Sequence, residues 1–293
     1  MKNILFIAFA LFLFSCKKSE VAISAPSEVS AVQVQPRVGG ALVQWKLPTD
    51  SNFLYLEVRY QKKGETVITK VSKYTDSVLI DGLLNKLEYN FEVQAFNATK
   101  SGVKGGNIAK VGPVRPIRRG IATAYFPADL TKLPVTDAMI DTYTQESSEG
   151  PKKNLVDGDR LTYWHSAWSA GVAPLPHWIK VNNATETKLG AIKYYFRNNT
   201  SLSGRPTQFA LETSTDGLAY TRVYTSKAGL SVAAPPTQEN VLAFDKNYSS
   251  KYFRVMVLDA GGAGVTYVTL GDMSFYSMRE ELTDMELAAE ANY

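Results

Sequence analysis

Short runs of alternating apolar and polar residues recur along the chain from Val29 onward. Because successive side chains of a strand point to opposite faces of a sheet, this alternation predicts half-buried β-strands. In the first half of the chain the clearest runs are residues 41–45, 54–60, 66–71 and 89–95. In the second half they are residues 178–181, 191–196, 208–213, 219–224, 240–244, 251–258 and 266–276. The pattern therefore predicts an all-β protein.

The spacing of these runs indicates two domains, and 293 residues are enough for two separate cores. Roughly seven short strands within residues 28–112 are typical of an immunoglobulin-like β-sandwich. Antiparallel strands with long loops in residues 138–278 predict a jelly-roll sandwich. Residues 113–137 are predicted to be a linker because of their prolines and arginines. Within them, residues 121–132 show a weak alternation that could form one additional strand. Residues 279–293 are acidic and rich in Ala and Leu, which predicts a short helix or a frayed tail.

The start of the chain has the pattern of a secretory signal. Residues 1–15 contain Lys2 followed by an apolar run that is too short to span a membrane. Cys16 stands just after this run. Because it is the only cysteine in the sequence, it cannot form an internal disulfide. We expect a lipoprotein signal cleaved before Cys16, whose thiol carries the lipid anchor, with residues 16–27 as a tether. The absence of Asp after the cysteine favours the outer membrane. The alternative is a signal peptide that happens to contain a cysteine.

Charge and motifs argue against two classes of function. The net charge of +4 is spread along the chain, and no basic block interleaves with aromatic residues, so nucleic acid is not an expected partner. The sequence has no Gly-x-Ser-x-Gly elbow, no His-Glu-x-x-His and no phosphate loop. Only two histidines are present, which leaves little for a histidine-based triad. We therefore predict that the protein is not an enzyme.

The most informative stretch is residues 154–168, which read NLVDGDRLTYWHSAW. Gly158 allows a tight turn between two aspartates, where carboxylate, hydroxyl and carbonyl oxygens can converge. Such a set of hard oxygen donors is what calcium prefers. Trp164 is predicted to anchor the turn in the core, whereas Trp168 falls in a loop.

This stretch resembles the opening of discoidin-like domains, also called coagulation factor 5/8 type C domains, and in particular the carbohydrate-binding modules of family 32. The resemblance covers roughly residues 138–278 and rests on Asn154, Asp157, Gly158, Thr162, Trp164, Ser166 and the strand Pro176-His177-Trp178-Ile179. It implies a galactose-binding-like jelly roll. One departure is Asn182-Asn183-Ala184, where the family usually has Asp-Leu-Gly.

The first domain resembles fibronectin type III domains. The residues that carry this resemblance are Trp45, Leu83, Tyr89, Phe91, Val93 and Ala95, with Tyr89 at the position of a tyrosine corner. They are core and turn residues, and we expect this domain to act as a spacer.

The discoidin-like resemblance implies a calcium ion held by Asp157, Asp159, Thr162 and Asp272. Asp272 stands in Leu270-Gly271-Asp272, where the family has a glutamate, and its side chain is one methylene shorter. The alternative is an acidic turn that is closed by hydrogen bonds alone.

The same resemblance implies a ligand site in the loops at one end of the sandwich. Sugars combine hydroxyls with an apolar C–H face, so a site for them pairs an exposed aromatic ring with hydrogen-bonding groups. The candidate residues are His165, Trp168, Arg197 and Asn198. For His165 the alternative to ligand contact is a polar loop residue that bonds to the backbone. For Arg205, which follows Gly204, the alternative is a structural role.

Together these features predict an outer-membrane, lipid-anchored protein, facing the cell exterior, that captures polysaccharide for an uptake system. Its expected partners are a glycan, the membrane through its lipid anchor, and other outer-membrane uptake proteins. The first alternative is an adhesin or assembly subunit that binds protein or membrane. A weaker alternative is an accessory to a hydrolase.

Overall fold

The computed structural model describes residues 24–50, 53–99 and 102–293. The predicted signal, Cys16 and most of the tether lie outside the described residues. Apart from one short α-helix, the described regular structure is strands and two 3-10 turns, which confirms the predicted all-β class. The described residues form two compact units: those in the range 24–121 together with Asp284–Tyr293, and Ala122–Thr283. Within the described part of the chain, no helix is long and apolar enough to cross a membrane.

The first unit contains two antiparallel sheets. One consists of β1 (Ser30–Arg37), β2 (Gly40–Lys46) and β5 (Ser77–Asp81), in that spatial order. The other consists of β4 (Glu65–Ser72), β3 (Tyr55–Lys62), β6 (Tyr89–Thr99) and β7 (Gly102–Gly105), in that order, with β8 (Ala109–Val114) paired to β6. The alternating residues of these strands face each other, so that their apolar side chains form one core.

Two aromatic residues of this core have satisfied polar atoms. Trp45 is buried, and its Nε1–H donates a hydrogen bond of 3.0 Å to the carbonyl of Thr75. The buried Tyr89 hydroxyl accepts a hydrogen bond of 2.9 Å from the backbone N–H of Leu84, five residues earlier. A buried polar atom without a partner would be costly, so these bonds let the large rings contribute their apolar area fully.

The C-terminal residues complete the first unit. Helix α1 (Met285–Ala291) is capped by Asp284, whose carboxylate accepts hydrogen bonds from the backbone N–H groups of Glu286 and Leu287. The Glu286 side chain is buried and accepts bonds from the backbone N–H of Asn85 at 2.7 Å, and from the backbone N–H and Nη1 of Arg119. Residues 279–293, predicted as a short helix or a frayed tail, are therefore partly strand and partly an ordered helix.

The second unit is built on a seven-stranded sheet. Its strands, in spatial order, are β14 (Thr221–Thr225), β13 (Pro206–Ser214), β15 (Asn240–Ala260), β12 (His177–Tyr194), β17 (Met273–Asp284) and β9 (Ile121–Lys132), with β10 (Ile140–Thr142) paired to β12. A second, two-stranded sheet pairs β11 (Trp164–His165) with β16 (Thr269–Leu270). Two 3-10 turns, Asp137–Met139 and Lys152–Leu155, lead into the loops.

Strands β12 and β15 are each longer than the sequence pattern predicts. Each joins two predicted strands into one, and the pairing between them shifts register between Asn182 and Thr187 and again between Leu189 and Ala191. Such shifts bend a strand while its backbone remains extended. The polar residues that interrupt the alternation thus lie at a bend within the strand.

Trp164 lies in the core of this unit, as its position in the motif predicts. Its side chain is completely buried in a core cluster that also contains Leu155, Ile179, Phe196, Phe253 and Phe275. Because Trp164 also begins β11, its burial fixes the residues that follow it at the edge of the sandwich.

The Glu286 carboxylate should be important for the stability of the first unit. Burial alone would raise the pKa of Glu286, but the bonds from Asn85 and Arg119 outweigh burial and hold the pKa below its usual value. Removing one partner of a buried charge pair leaves the other uncompensated. We predict that Glu286→Ala lowers the free energy of unfolding of this unit by about 3 kcal/mol in urea titrations.

A control and a pH profile check this interpretation. Glu290→Ala removes an exposed pair with Lys86 and should cost less than about 1 kcal/mol. Because the pKa of Glu286 is depressed in the folded state, its stabilisation should be present above pH about 4.3 and lost as the pH falls below it. Equal stabilities for the Glu286→Ala and Glu290→Ala variants would contradict the assignment.

Candidate ligand-binding site

A buried carboxylate organises the loop after β11. Glu146 accepts hydrogen bonds of 3.0 Å from the backbone N–H groups of Trp168 and Ser169, and one of 2.7 Å from the Ser169 hydroxyl. These bonds lower the pKa of Glu146. Two backbone hydrogen bonds join residues 146–150 to β11. The N–H of Glu146 donates to the carbonyl of His165, and the N–H of His165 donates to the carbonyl of Gly150. The loop is therefore held in one conformation.

This loop presents the indole of Trp168, whose side chain is half exposed at 50%. Its Nε1–H donates a hydrogen bond of 3.0 Å to Oε1 of Glu149. The other oxygen of Glu149 accepts a bond of 2.5 Å from the hydroxyl of Tyr163. One carboxylate thus orients two aromatic rings and leaves the indole partly open to solvent.

Arg197 completes this group. Its guanidinium carbon lies 3.5 Å from the centroid of the Tyr163 ring, and Nη2 is 3.6 Å from Oε2 of Glu149. The hydroxyl of Tyr163 contributes most to lowering the pKa of Glu149, and Trp168 and Arg197 lower it further against the opposing effect of burial. The site therefore combines a fixed anionic group, a fixed cationic group and an exposed ring.

His165 is more enclosed than the sequence suggests, with only 5% of the residue exposed. Its Nδ1 is 2.7 Å from the carbonyl of Ser166, which assigns the proton to Nδ1 and makes Nε2 the acceptor. Burial lowers the pKa of His165, so the ring is neutral at pH 7. Its centroid is 6.2 Å from that of Trp168 and 5.0 Å from that of Tyr267.

The Tyr267 ring needs a glycine beneath it. Gly204 has a positive φ of 77°, and a Cβ at this position would come within 2.5 Å of the Tyr267 ring. A side chain there would displace the ring that packs against His165. Gly204 is thus required by both its backbone conformation and this close approach.

Asn198 is not brought together with the other predicted ligand residues. It is exposed and lines a different cleft of about 340 Å³, together with Gly158, Asp159, Arg160, Leu161, Pro236 and Thr237. The structure therefore groups His165, Trp168 and Arg197 and separates Asn198 from them.

Four residues of the site did not emerge from the sequence: Glu146, Glu149, Tyr163 and Tyr267. Ser147-Ser148-Glu149-Gly150 is a turn signal, and the positive φ of Gly150 agrees with it. A turn signal alone does not show that its carboxylate meets an indole nineteen residues away.

The predicted metal residues form a closed acidic turn. Asp157 Oδ2 accepts a hydrogen bond of 2.9 Å from the Thr162 hydroxyl, and Asp157 Oδ1 accepts one of 2.9 Å from the N–H of Asp159. The Thr162 hydroxyl also lies 2.9 Å from the carbonyl oxygen of Asp159. Carboxylate, hydroxyl and carbonyl oxygens therefore converge within one turn.

Asp272 approaches this turn from the sheet. It is buried, and its Oδ2 accepts a hydrogen bond of 2.8 Å from the N–H of Gly158. Burial, together with the charges of Asp157 and Asp159, raises the pKa of Asp272 to about 6. A cavity of about 20 Å³ beside Asp272 and Gly158 is large enough for one water or ion, and Lys132 also lines it.

These residues fit a calcium ion in the chemistry of their donors. Within the described ranges, no three His, Cys, Asp or Glu side chains are close enough together to hold a metal ion by themselves. Backbone carbonyl and hydroxyl oxygens would have to complete the coordination, which is a common arrangement for calcium.

Two family models match this chain. The F5/8 type C domain model matches residues 140–270, and a domain of unknown function, DUF4959, matches residues 26–108. The first match contains Trp168, Arg197 and the acidic turn.

Solved structures of carbohydrate-binding modules are also similar. The family 32 module of Clostridium perfringens NanJ in complex with galactose is 16% identical, with 53% of this chain and 100% of that chain covered and a TM-score of 0.39. CpGH89CBM32-5 from C. perfringens, in complex with GalNAc-beta-1,3-galactose, is 17% identical over 46% and 92% of the two chains, also with a TM-score of 0.39.

The C-terminal domain of a chitobiase from Bacteroides fragilis is 21% identical over 55% of this chain and 99% of that chain, with a TM-score of 0.38. All three TM-scores are below 0.5, so these similarities do not assign a ligand to this chain. The family model is the more specific finding: the F5/8 type C, or discoidin-like, domain model matches residues 140–270 of this chain.

Proposed function

We propose that the second unit is a glycan-binding module. The observation that carries this proposal is the exposed indole of Trp168, held by the carboxylate of Glu149 beside the guanidinium of Arg197. A sugar ring presents C–H groups on one face and hydroxyls around its edge. An open aromatic face flanked by one fixed acceptor and one fixed planar donor complements both features.

The order of these side chains before binding favours affinity. Trp168, Tyr163 and Arg197 are restrained by Glu149, and the backbone of the Trp168 loop is restrained by Glu146. Little side-chain freedom remains to be lost when a sugar binds, which lowers the entropic cost of association.

The charge state of the site favours binding over hydrolysis. A glycosidase needs one carboxylic acid whose pKa is raised, so that it can protonate the leaving oxygen. Hydrogen bonds lower the pKa of both Glu146 and Glu149, which keeps both ionised. The F5/8 type C match and this electrostatic pattern together support a module that does not catalyse.

At the level of the whole protein, we infer a lipid-anchored surface protein of the outer membrane that faces the cell exterior and captures polysaccharide for an uptake system. The first unit would serve as a fibronectin type III-like spacer between the anchor and the binding module. The signal pattern before Cys16 and the discoidin-like domain support this role.

Calcium is the proposed ion of the acidic turn. Asp157, Thr162 and the carbonyl of Asp159 supply oxygens, and Asp272 supplies a buried carboxylate that a cation would stabilise. The ion would hold the turn that leads into Tyr163 and Trp164.

The glycan site can be tested by titrating the full chain with polysaccharides that an array identifies. We predict that Arg197→Ala weakens binding by about ten- to a hundredfold, because a hydrogen bond to a charged group contributes roughly 1.5–3 kcal/mol. Trp168→Ala should weaken binding similarly while the melting temperature stays near that of the wild type.

Matched controls separate binding from folding. Arg222→Ala removes another partly exposed Arg–Glu pair of the same unit, and the wild-type affinity should be retained. Trp164→Ala should unfold the unit by opening a cavity, at roughly 3–5 kcal/mol. If Arg197→Ala and Trp168→Ala bind glycans like the wild type while folded, the site is elsewhere. Binding to a protein or a membrane but to no arrayed glycan would favour the adhesin alternative.

Calcium binding should appear as thermal stabilisation. An ion that binds only the folded state adds roughly 2.7 kcal/mol at a hundredfold excess over its dissociation constant. We predict that calcium raises the melting temperature of the second unit, and that Asp157→Ala and Asp272→Asn abolish the increase. Asp129→Ala, which changes an exposed partner of Arg279, should leave it intact. Identical melting curves in calcium and in chelator would rule out a folded-state site.

The anchor is tested at Cys16. We predict that Cys16→Ser moves the protein from the membrane fraction to the soluble fraction, because several acyl chains bury far more CH₂ groups than one marginal chain. Persistence of the variant in the membrane fraction after a high-salt wash would contradict the lipoprotein assignment.

A further inference from the structure

The cleft that contains Asn198 lies directly beside the proposed glycan site. Two chain segments contribute to both. Residues 158–161 line the cleft, while Tyr163 of the same loop lies under Arg197. Asn198 lines the cleft, while its neighbour Arg197 faces Glu149.

The two sites are bordered by adjacent residues, Arg197 at the proposed glycan site and Asn198 at the cleft. The N–H of Asn199 donates a hydrogen bond of 2.8 Å to the carbonyl of Arg197, which makes a tight three-residue turn centred on Asn198. Adjacent Cα atoms are about 3.8 Å apart, which is less than the width of a sugar ring. A sugar that reaches Arg197 would therefore have the cleft at Asn198 within about the width of one ring.

The walls of the cleft are held by a buried arginine. Arg205 is only 3% exposed, and its guanidinium donates to the carbonyls of Val232 at 2.7 Å, Ala234 at 3.0 Å and Asn199 at 3.1 Å. It therefore connects the Asn198 turn to the segment that leads to Pro236. This arginine is structural, which agrees with the alternative weighed for it from the sequence.

A second arginine bridges the two sides of the cleft. The Nη1 of Arg160 donates a hydrogen bond of 3.3 Å to the carbonyl of Thr237, and its guanidinium lies 5.4 Å from the ring centroid of Tyr195. The cleft is thus formed before any ligand binds, as is usual for small-ligand sites, and its 340 Å³ is within their usual range.

The surface of the cleft is chemically mixed. Leu161 is 75% exposed and, with Pro236, supplies apolar area. The exposed Asn198 amide offers both donors and an acceptor, and the exposed carboxylate of Asp159 offers a further acceptor. An apolar patch bordered by amide and carboxylate groups suits a neutral sugar ring and its hydroxyls.

We propose that this cleft is a second sugar subsite, so that the module recognises at least two consecutive residues of a glycan chain across the Arg197–Asn198 ridge. This inference rests on the proposed glycan-binding function and specifies its substrate class as oligosaccharide. Leu161 packs against one face of the second sugar, and Asn198 bonds to its hydroxyls.

The test uses the full chain on an array that carries galactose, N-acetylgalactosamine, glucosamine and mannuronate, each as the monosaccharide, the disaccharide and the tetrasaccharide. For the sugar that binds, we expect the wild type to prefer the tetrasaccharide to the monosaccharide by about tenfold, the effect of about one additional hydrogen-bonded contact. Leu161→Ser and Asn198→Ala should each reduce this ratio toward one. Leu218→Ser, which changes another highly exposed leucine, should leave the ratio unchanged.

The outcomes distinguish this inference from the function on which it rests. Equal wild-type affinity for monosaccharide and tetrasaccharide overturns the subsite and leaves glycan binding intact. A length preference that survives both Leu161→Ser and Asn198→Ala also overturns the subsite. Absence of binding to every arrayed sugar, at every length, overturns the proposed function and the subsite with it.

Discussion

The buried carboxylate of Glu146 fixes the loop on which the candidate site depends. An ionised group removed from water must be compensated by hydrogen bonds, and Glu146 finds its donors in the backbone and hydroxyl of the loop at Trp168 and Ser169. If the loop moved away, Oε2 of Glu146 would lose both of its donors, and the carboxylate would keep only the bonds from Ser147 and Ser148 to Oε1. On its other side, the loop follows β11, which is anchored by the fully buried Trp164. An apolar anchor and a buried charge therefore hold the same short segment from two directions.

Electrostatics then divide the roles of the site residues. Glu149 is ionised and shared by an indole, a phenol and a guanidinium, so it orients its neighbours and keeps an acceptor at the surface. His165 is neutral because its ring is buried, and its Nδ1 is committed to the backbone. The guanidinium of Arg197 lies over the face of Tyr163. This arrangement offers fixed donors and acceptors around the indole of Trp168.

Local signals in the sequence were sufficient for the features that depend on local structure. The strand class follows from alternation, the turn at Gly158 from its neighbouring aspartates, and the burial of Trp164 from its place after that turn. Alternation failed to show that β12 and β15 are continuous, because register shifts near Asn182 and Leu189 interrupt the pattern while the backbone stays extended.

Features that depend on distant contacts were not accessible in the same way. Glu149 meets Trp168 across nineteen residues, and Glu286 meets Asn85 across 201, and nothing in the local pattern marks these carboxylates as buried or shared. The discoidin-like resemblance grouped Asn198 with the adjacent Arg197. A tight turn places them at different sites, and this difference separates one candidate binding surface into two.

The proposed glycan site is centred on the indole of Trp168. The protein has four tryptophans, so a ¹H–¹⁵N spectrum contains few indole signals, and Trp168→Phe assigns the relevant one. During titration with an array-selected oligosaccharide, the Trp168 indole N–H should shift progressively and saturate, because its bond to Glu149 lies at the binding surface. The indole signals of the buried Trp45 and Trp164 should remain in place. Saturable glycan binding that leaves the Trp168 signal unmoved would contradict the account.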